Sequence, residues 1–466
     1  MRFSKISGFA IGPAANAVLG VVSLPLITWM YSSEDVGRLA LLQVVSSFFV
    51  LVLSLGLDQS YVREYHASRN KSLLLRLAIT PGLFLLLLCV LVSFFILRLL
   101  SDGVFSIDSA LIGFLIVLCF SSLFFTRFST LILRMQERGV TFSLFQVLPR
   151  LFFILLVLSF YLVWGNQQFL ALISAHVASV VVVAILCFWV VRLEWRLALG
   201  HQFNIHESVP LLKFGMPLVA GGLAYWCMST IDRVLLRSLS GFEELAVYSV
   251  ATSFAMVTAI FQSVFSVVWA PIVYKWVEQG VELDRLNVIS ETVLLVVLLF
   301  TCIAGFFSWV LLFVLPEEYA RVRFLLPVCM LCPLFYALSE VSGIGLGISK
   351  RSGYAMLASL IGLLIAVICN FLLIPRLGAA GAGVASAVAF WFYLLLRTEF
   401  SYRVWQPTPR RKMYFSTFLL LLVSSYSAIS VELSVFYFAS MWLFFAGFFI
   451  VIFWSRINYL CKYWWQ

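Results

Sequence analysis

Long apolar runs recur along the whole chain, and short polar segments separate them. Each run has about 20 residues or more, the length that a helix needs to cross a hydrocarbon core of roughly 30 Å. There are about 14 runs, or about 12 spans if the last two form one re-entrant pair. The pattern predicts an all-α polytopic membrane protein. The runs centre on residues 6–30, 38–62, 73–98, 109–133, 141–164, 169–191, 211–236, 245–270, 288–315, 321–348, 354–374, 380–402, 413–431 and 435–455.

Composition agrees with this class and limits the function. Of the 466 residues, 63% are hydrophobic and only 11% are charged, whereas a soluble domain of this length needs far more surface charge. The spans leave about ten residues for each loop, so no loop can hold a folded domain outside the membrane. Most membrane glycosyltransferases and polymerases would need such a domain. We therefore expect that the chain is not an enzyme and uses no cofactor.

Lys and Arg are concentrated in alternate loops. With the N-terminus in the cytoplasm, about 22 of the 31 Lys and Arg lie in cytoplasmic loops and about six lie in outer loops. The opposite orientation would reverse this ratio, so the positive-inside rule predicts that both termini are cytoplasmic. The net charge of +10 reflects mainly this asymmetry and does not indicate a nucleic-acid partner.

The two halves of the chain are alike. Span 1 leads to "YSSEDVGRLA" and span 7 leads to "LSGFEELAVYS", so residues 34–37 match residues 243–246 in position and chemistry. Each half has an even number of spans, which indicates two six-helix lobes related by a parallel repeat around a central cavity. A chance coincidence of acidic turns is the alternative. The predicted division is an N-terminal lobe at 1–195, a cytoplasmic linker at 196–210, a C-terminal lobe at 211–403, and two additional helices with a cytoplasmic tail at 404–466.

Some charged side chains lie well inside predicted spans, where an ion is costly unless it faces a partner or a wet cavity. At roughly 1.5 Å per residue, Arg150 and Glu340 lie about 16 Å and 15 Å from the cytoplasmic ends of spans 5 and 10. These depths are too great for easy snorkelling, so each side chain either faces a central cavity or forms a structural pair. Arg127 and Asp58 lie about 10 Å and 7 Å deep, where snorkelling and function both stay open. His176 in span 6 is interpreted as a packing residue.

Asp232 and Arg233 are neighbouring opposite charges in "YWCMSTIDRVLL" of span 7. They lie close to 30 Å along the helix from Lys213, which places them near the outer interface. Adjacent helical residues do not face each other, so we expect no ion pair between the two side chains. One would face the mouth of a cavity and the other a neighbouring helix. The alternative is an interfacial helix end without a function.

Three stretches carry a resemblance to a known family: "LPLITWMYSSEDVGRLAL", "STIDRVLLRSLSGFEELAVYSVATSF" and "NFLLIPRLGAAGAGVASAVAF". Their order and spacing resemble the polysaccharide-repeat flippases, the O-antigen translocase type, of the multidrug/oligosaccharidyl-lipid/polysaccharide exporter superfamily. The resemblance covers residues 1 to about 403. It implies two lobes forming a V around the cavity and working by alternating access. It also implies a bacterial inner membrane and a polyprenyl-pyrophosphate-linked oligosaccharide as cargo.

The resemblance also suggests roles for the charged residues. A cationic cavity would bind the anionic headgroup through Arg150, Arg127 and Arg233, since guanidinium groups bind phosphate oxygens in a fork. Ion coupling or gating would then fall to three carboxylates, Glu340, Asp58 and Asp232. The expected partners are membrane lipids and a polysaccharide polymerase complex, and the expected state is a monomer.

Two other functions stay open. A small-molecule exporter of the same fold would need an acidic or aromatic cavity for a cationic cargo, whereas two buried arginines favour an anionic one. A membrane polymerase or glycosyltransferase would act on the same lipid carrier, and it would need a large outer loop or paired carboxylates to activate a sugar acceptor.

Overall fold

The computed structural model describes residues 3–65, 68–164, 168–278, 284–349, 351–405, 410–430 and 434–456. All regular structure in these ranges is helical, and the last ten residues of the predicted tail lie outside them. The helices are α1 (Phe3–Met30), α2 (Ser33–Ser54), α3 (Leu57–Glu64), α4 (Lys71–Phe95), α5 (Leu97–Phe105), α6 (Ala110–Met135), α7 (Gly139–Trp164), α8 (Phe169–Val190), α9 (Arg192–Gly200), α10 (Ile205–Glu278), α11 (Asp284–Phe307), α12 (Leu311–Val314), α13 (Val322–Ser342), α14 (Ile344–Ile348), α15 (Ser352–Val404), α16 (Arg411–Ile429) and α17 (Val435–Ile452).

In the described ranges, eleven helices are long and apolar enough to cross a membrane. Two of them, α10 and α15, each contain two predicted spans, and α1 covers the first predicted span. Every predicted apolar run therefore coincides with helix. The prediction of an all-helical, multi-pass membrane protein is confirmed.

Helices α10 and α15 are hairpins that turn at a glycine. Gly241 (φ 88°) and Gly378 (φ 53°) are the residues with non-helical backbone inside them. A straight helix would hold residues 232 and 248 roughly 24 Å apart, yet the Tyr248 hydroxyl donates a hydrogen bond to Asp232. The chain therefore reverses direction at Gly241. Glycine suits both turns because it adopts positive φ without steric cost.

Polar side chains define several helix starts. Ser32, Asn70, Ser109 and Ser434 each accept a hydrogen bond from the backbone N–H three residues later, at the starts of α2, α4, α6 and α17. These N-caps satisfy backbone donors that have no partner inside the helix. The short polar segments between apolar runs therefore fix where the helices begin.

The first compact unit comprises Met1–Trp226. In it α1 packs on α7, α8 packs on α6 and α7, and α9 packs on α4. The start of α10 crosses α3 so closely that a Cβ on Gly56 would collide with the Gly215 carbonyl. Ser60 Oγ donates to the Leu211 carbonyl at 2.8 Å beside this crossing. The first part of α10 thus belongs to this unit.

The second compact unit comprises Cys227–Gln466. Its centre is α13, which packs against α11, α15 and α16. The additional helix α17 packs on α11, where the buried Trp442 covers Gly305. Arg456, beyond the end of α17, forms an ion pair with Glu291 of α11. The two additional helices are therefore an integral part of this unit.

Both units show a related contact at the turn between their first two spans. In the first unit, Arg38 binds Asp35, donates through Nε to the Phe105 carbonyl at 3.3 Å, and lies over the Phe169 ring. In the second unit, Glu244 binds Arg321 at 2.6 Å and accepts a hydrogen bond from the Ala379 N–H at 2.7 Å. Counted within each unit, these contacts join the first turn to the segment that precedes the fourth span and to the start of the sixth span. This pattern supports the predicted repeat.

Candidate functional site

Arg150 lies in the apolar helix α7 of the first unit. Its Nη1 donates to the Asn16 carbonyl at 3.0 Å, and a Cβ on Gly20, one turn along α1, would lie 2.7 Å from the same Nη1. No carboxylate of the described residues lies within 4.0 Å of its guanidinium. On the neighbouring α8, His176 packs its ring edge-to-face on Phe153, as expected for a packing residue. Arg150 is thus a partly buried cation beside a small residue.

Asp58 and Arg127 form an ion pair in the first unit. Arg127 Nη2 on α6 lies 2.6 Å from Asp58 Oδ2 on α3. The Gln59 amide also donates to Asp58, at 3.3 Å. The Asp58 side chain is 7% exposed, while the Arg127 side chain is 44% exposed. The sequence suggested different roles for these two residues, and the structure brings them together.

Asp232 accepts three hydrogen bonds inside the second unit. Its donors are the Tyr248 hydroxyl, the Ser386 hydroxyl at 2.9 Å and the Arg233 backbone N–H at 2.7 Å. Asp232, Tyr248 and Ser386 each lie seven to nine residues from a hairpin glycine, hence about 12 Å below the turns. The three side chains form a buried polar layer that joins the α10 hairpin to α15.

Arg233 points away from Asp232. Its Nη2 donates to the Thr252 hydroxyl at 3.2 Å, and no side-chain ion pair joins it to Asp232 in the described part of the chain. The alternative reading of these residues as a helix end is wrong, because the first arm of α10 continues for eight more residues to Gly241. That arm also begins at Ile205, earlier than the Lys213 from which depth was counted.

Glu340 lies near the C-terminal end of α13, with a partly buried side chain. The helix stops at Ser342, and Gly343 separates it from the short α14. The glycine-rich segment after Glu340 thus interrupts the helix, as its low helix propensity suggests.

Sequence reasoning missed two charged clusters of the second unit. The first surrounds Arg397 on α15, whose guanidinium lies over the rings of Tyr336 and Tyr393. The second is the Glu244–Arg321 pair, which lines a cavity of about 350 Å³ together with Arg376. Arg397 lies close to the polar end of its predicted span, at 380–402, and nothing in the local sequence distinguishes it from a charge at a helix end.

Comparison with known proteins assigns a family. The profile described as "Polysaccharide biosynthesis protein" matches residues 5–277, more than half of the chain. The match includes five of the six candidate residues, and Glu340 lies beyond it.

Two curated relatives match part of the chain. "Probable low-salt glycan biosynthesis flippase Agl15" of Haloferax volcanii is 22% identical over 245 residues, covering 51% of this chain and 52% of that protein. "Multidrug resistance protein NorM" of Aliivibrio fischeri is 24% identical over 244 residues, covering 46% of this chain and 51% of that protein. The chain therefore spans about half the length of the curated relatives it matches.

A solved structure extends the similarity to nearly the whole chain. "Lipid II flippase MurJ, inward closed conformation" superposes with a TM-score of 0.71 at 14% identity, covering 97% of this chain and 99% of that one. At this identity the similarity shows the fold alone. The names of the matched proteins are those of flippases and a multidrug resistance protein, in agreement with the expectation that the chain is not an enzyme. The chain belongs to the polysaccharide biosynthesis protein family, and the predicted resemblance to the multidrug/oligosaccharidyl-lipid/polysaccharide exporter superfamily is confirmed.

Proposed function

We propose that the protein is a flippase for polyprenyl-pyrophosphate-linked oligosaccharide repeat units. It moves them from the cytoplasmic to the periplasmic leaflet of a bacterial inner membrane by alternating access, as a monomer with both termini in the cytoplasm. A polysaccharide polymerase complex receives the translocated units. Family membership and the relative named as a probable glycan biosynthesis flippase support this cargo class.

The observation that carries the proposal is the state of Arg150. A guanidinium has five N–H donors, and the Asn16 carbonyl is the acceptor found for Arg150 in the described residues. A cation inside an apolar helix without a neighbouring carboxylate needs an anion from elsewhere. A pyrophosphate group supplies it, because its oxygens match the planar fork of a guanidinium. The half-exposed Arg127 and the partly buried Arg233 contribute further positive charge.

Coupling to an ion is assigned first to Asp232. This carboxylate is buried, and its hydroxyl partners can reorient when it gains a proton or a cation, because a hydroxyl both donates and accepts. Protonation would turn one carboxylate oxygen of Asp232 from an acceptor into a donor, and the contact between α10 and α15 would have to rearrange. Asp58 is already neutralised by Arg127, so it fits gating better than proton uptake. Glu340, beside the break at Gly343, is the third candidate.

A small-molecule exporter is the second candidate, because one matched relative is named as a multidrug resistance protein. Arg150 argues against a cationic cargo, since it would repel that cargo at close range. A cargo screen with purified protein in vesicles separates the two functions. Export of cationic dyes without movement of lipid-linked sugars would favour this second candidate.

The deciding experiment uses lipid extracts from a strain that lacks the protein, with and without a restored copy. We expect single, unpolymerised lipid-linked repeat units to accumulate on the cytoplasmic side, and the restored copy to clear them. Arg150→Ala should fail to clear them although it is expressed and folded, and the exposed Arg134→Ala serves as the matched control. Units that reach the outer face but stay unpolymerised would support an enzyme, and no accumulation would refute this cargo.

A further inference from the structure

We infer that Arg397, Ser339, Tyr336 and Tyr393 form a second oxyanion site, within the second unit, that binds the sugar-phosphate headgroup of the cargo. This inference rests on the proposed function, and it concerns residues other than the six candidate residues predicted from the sequence. We call these four residues the Arg397 cluster.

The guanidinium of Arg397 is held in a fixed position. Its Nη1 donates to the Ser339 hydroxyl at 3.1 Å and to the Tyr393 hydroxyl at 3.4 Å. Its Cζ lies 5.5 Å and 6.0 Å from the ring centroids of Tyr393 and Tyr336. The two rings stack on each other with centroids 5.9 Å apart and planes at 8°. Cation–π contact and hydrogen bonds therefore orient the group before any ligand arrives.

One edge of this guanidinium has no acceptor. The Nε atom is buried and has no hydrogen-bond partner among the described residues, and the hydrogen bonds found there for Arg397 are made by Nη1. No carboxylate of those ranges lies within 4.0 Å of Arg397. A buried donor without an acceptor is unfavourable, and here it belongs to a charged group. The Nε and Nη2 edge is also the edge that binds a phosphate through two parallel hydrogen bonds.

The backbone of Gly343 lies close to this edge. A Cβ on Gly343 would lie 3.1 Å from Arg397 Nε and 3.4 Å from Arg397 Cβ. Any larger residue at position 343 would therefore press against the guanidinium. The break between α13 and α14 falls at this same glycine, so the backbone next to Nε is not constrained by a continuous helix.

The chemistry of the cluster favours a sugar phosphate over a simple anion. The guanidinium supplies charge and a bidentate edge, and the neighbouring rings of Tyr336 and Tyr393 supply apolar surface beside it. Arg397 lies seven residues before the end of α15 at Val404, hence about 10 Å from that helix end. In the proposed orientation this end is cytoplasmic, so the cluster lies at the level where an inner-leaflet headgroup enters.

Binding of inorganic pyrophosphate to the purified full-length protein tests the inference by calorimetry, with Arg150→Ala present in every sample so that the proposed site of the first unit does not contribute. Arg397→Gln should lower the affinity about 10- to 100-fold, the effect of removing a charged hydrogen-bond donor. Arg397→Lys should recover only part of it, because an ammonium lacks the fork. Arg403→Gln, an exposed position on the same helix, is the matched control and should bind like the wild type. Wild-type affinity in Arg397→Gln would overturn the inference.

Two further measurements test whether a loss of binding reflects misfolding and whether the ligand is the cargo or an ordinary lipid. Tyr393→Phe keeps the ring stack but removes one hydroxyl contact, so it should weaken binding less than Arg397→Gln while leaving the thermal midpoint close to the wild type. In the same Arg150→Ala background, polyprenyl pyrophosphate should compete with inorganic pyrophosphate, and adding Arg397→Gln should abolish this competition. If phosphatidylglycerol competes equally well, the ligand is an ordinary lipid headgroup and the claim for cargo is wrong.

Transport in the deletion strain keeps this inference distinct from the proposed function. If the wild-type copy clears the accumulated units and Arg397→Gln clears them equally fast, the cluster is not a cargo site although the flippase function stands. If no units accumulate in the deletion strain, the flippase function fails, and the pyrophosphate affinities still decide whether the cluster binds oxyanions.

Discussion

The ion pair of Asp58 and Arg127 leads to an asymmetric prediction. The Asp58 side chain is 7% exposed and the Arg127 side chain is 44% exposed. Arg127→Ala leaves a buried carboxylate with one neutral partner, the Gln59 amide at 3.3 Å. Asp58→Ala leaves a cation that can turn towards water. The loss of the arginine should therefore destabilise the first unit more than the loss of the aspartate.

The magnitude follows from burial. Removing one partner of a fully buried pair costs about 3–5 kcal/mol, whereas a fully exposed pair contributes about 0–1 kcal/mol. With Arg127 nearly half exposed, we expect about 2 kcal/mol for Arg127→Ala and about 1 kcal/mol for Asp58→Ala. The double variant should cost only about 1 kcal/mol, because without Asp58 no buried charge is left unpaired. The coupling between the two substitutions is then about 2 kcal/mol.

Unfolding of the purified protein in one detergent measures this coupling. Unfolding of membrane proteins is often irreversible, so all variants must be heated at the same rate. Arg98→Ala serves as a control, because its contact with Asp108 is weak and exposed, with side chains 75% and 68% exposed. Equal effects of the two single substitutions, or an additive double variant, would refute the argument from unequal burial.

Three further predictions follow from other contacts. Gly56→Ala should prevent stable folding, measured by expression and gel filtration, because residue 56 has φ 70° and a Cβ there would strike a backbone carbonyl. Gly103→Ala is the control and should fold normally, because a Cβ at residue 103 would meet no atom within 4 Å. Tyr248→Phe should cost about 1–3 kcal/mol by removing a donor to the Asp232 carboxylate, and an unchanged thermal midpoint would contradict this. Arg150→Lys should restore only part of the transport lost in Arg150→Ala, measured as clearance of lipid-linked repeat units, because lysine cannot bind an oxyanion bidentately.

Most of the fold could be predicted from the apolar runs alone. Helices in lipid must satisfy their own backbone groups, so a run of sufficient length leaves few structural choices. The turns at Gly241 and Gly378 were also predictable, because a glycine lies in each short polar segment between spans. The extent of α10 before Lys213 was not predictable, because the start of that helix at Ile205 lies in a polar stretch. Depths counted from Lys213 therefore did not start at the first residue of the helix.

The candidate residues could be predicted individually, but their partners could not. The expectation that Asp232 and Arg233 have separate partners follows from helix geometry, and the structure agrees with it. Asp58 and Arg127 are 69 positions apart, and no local pattern in one sequence relates them. The neighbours of Arg397 could not be predicted either, because one of its two aromatic partners, Tyr336, lies on α13. A single sequence shows where charges occur, and tertiary packing decides which of them are paired.

The hairpin at Gly241 has a consequence for biogenesis. Asp232 receives its hydroxyl donors from residues 16 and 154 positions later in the chain. At about 5–20 residues per second, Tyr248 is synthesised about 1–3 s after Asp232, and Ser386 about 8–30 s after it. The tight turn thus gives the carboxylate a first partner while the nascent chain is still being inserted. Synonymous codons that slow translation between residues 248 and 386 should prolong the period during which Tyr248 supplies the hydroxyl donor to this carboxylate without Ser386.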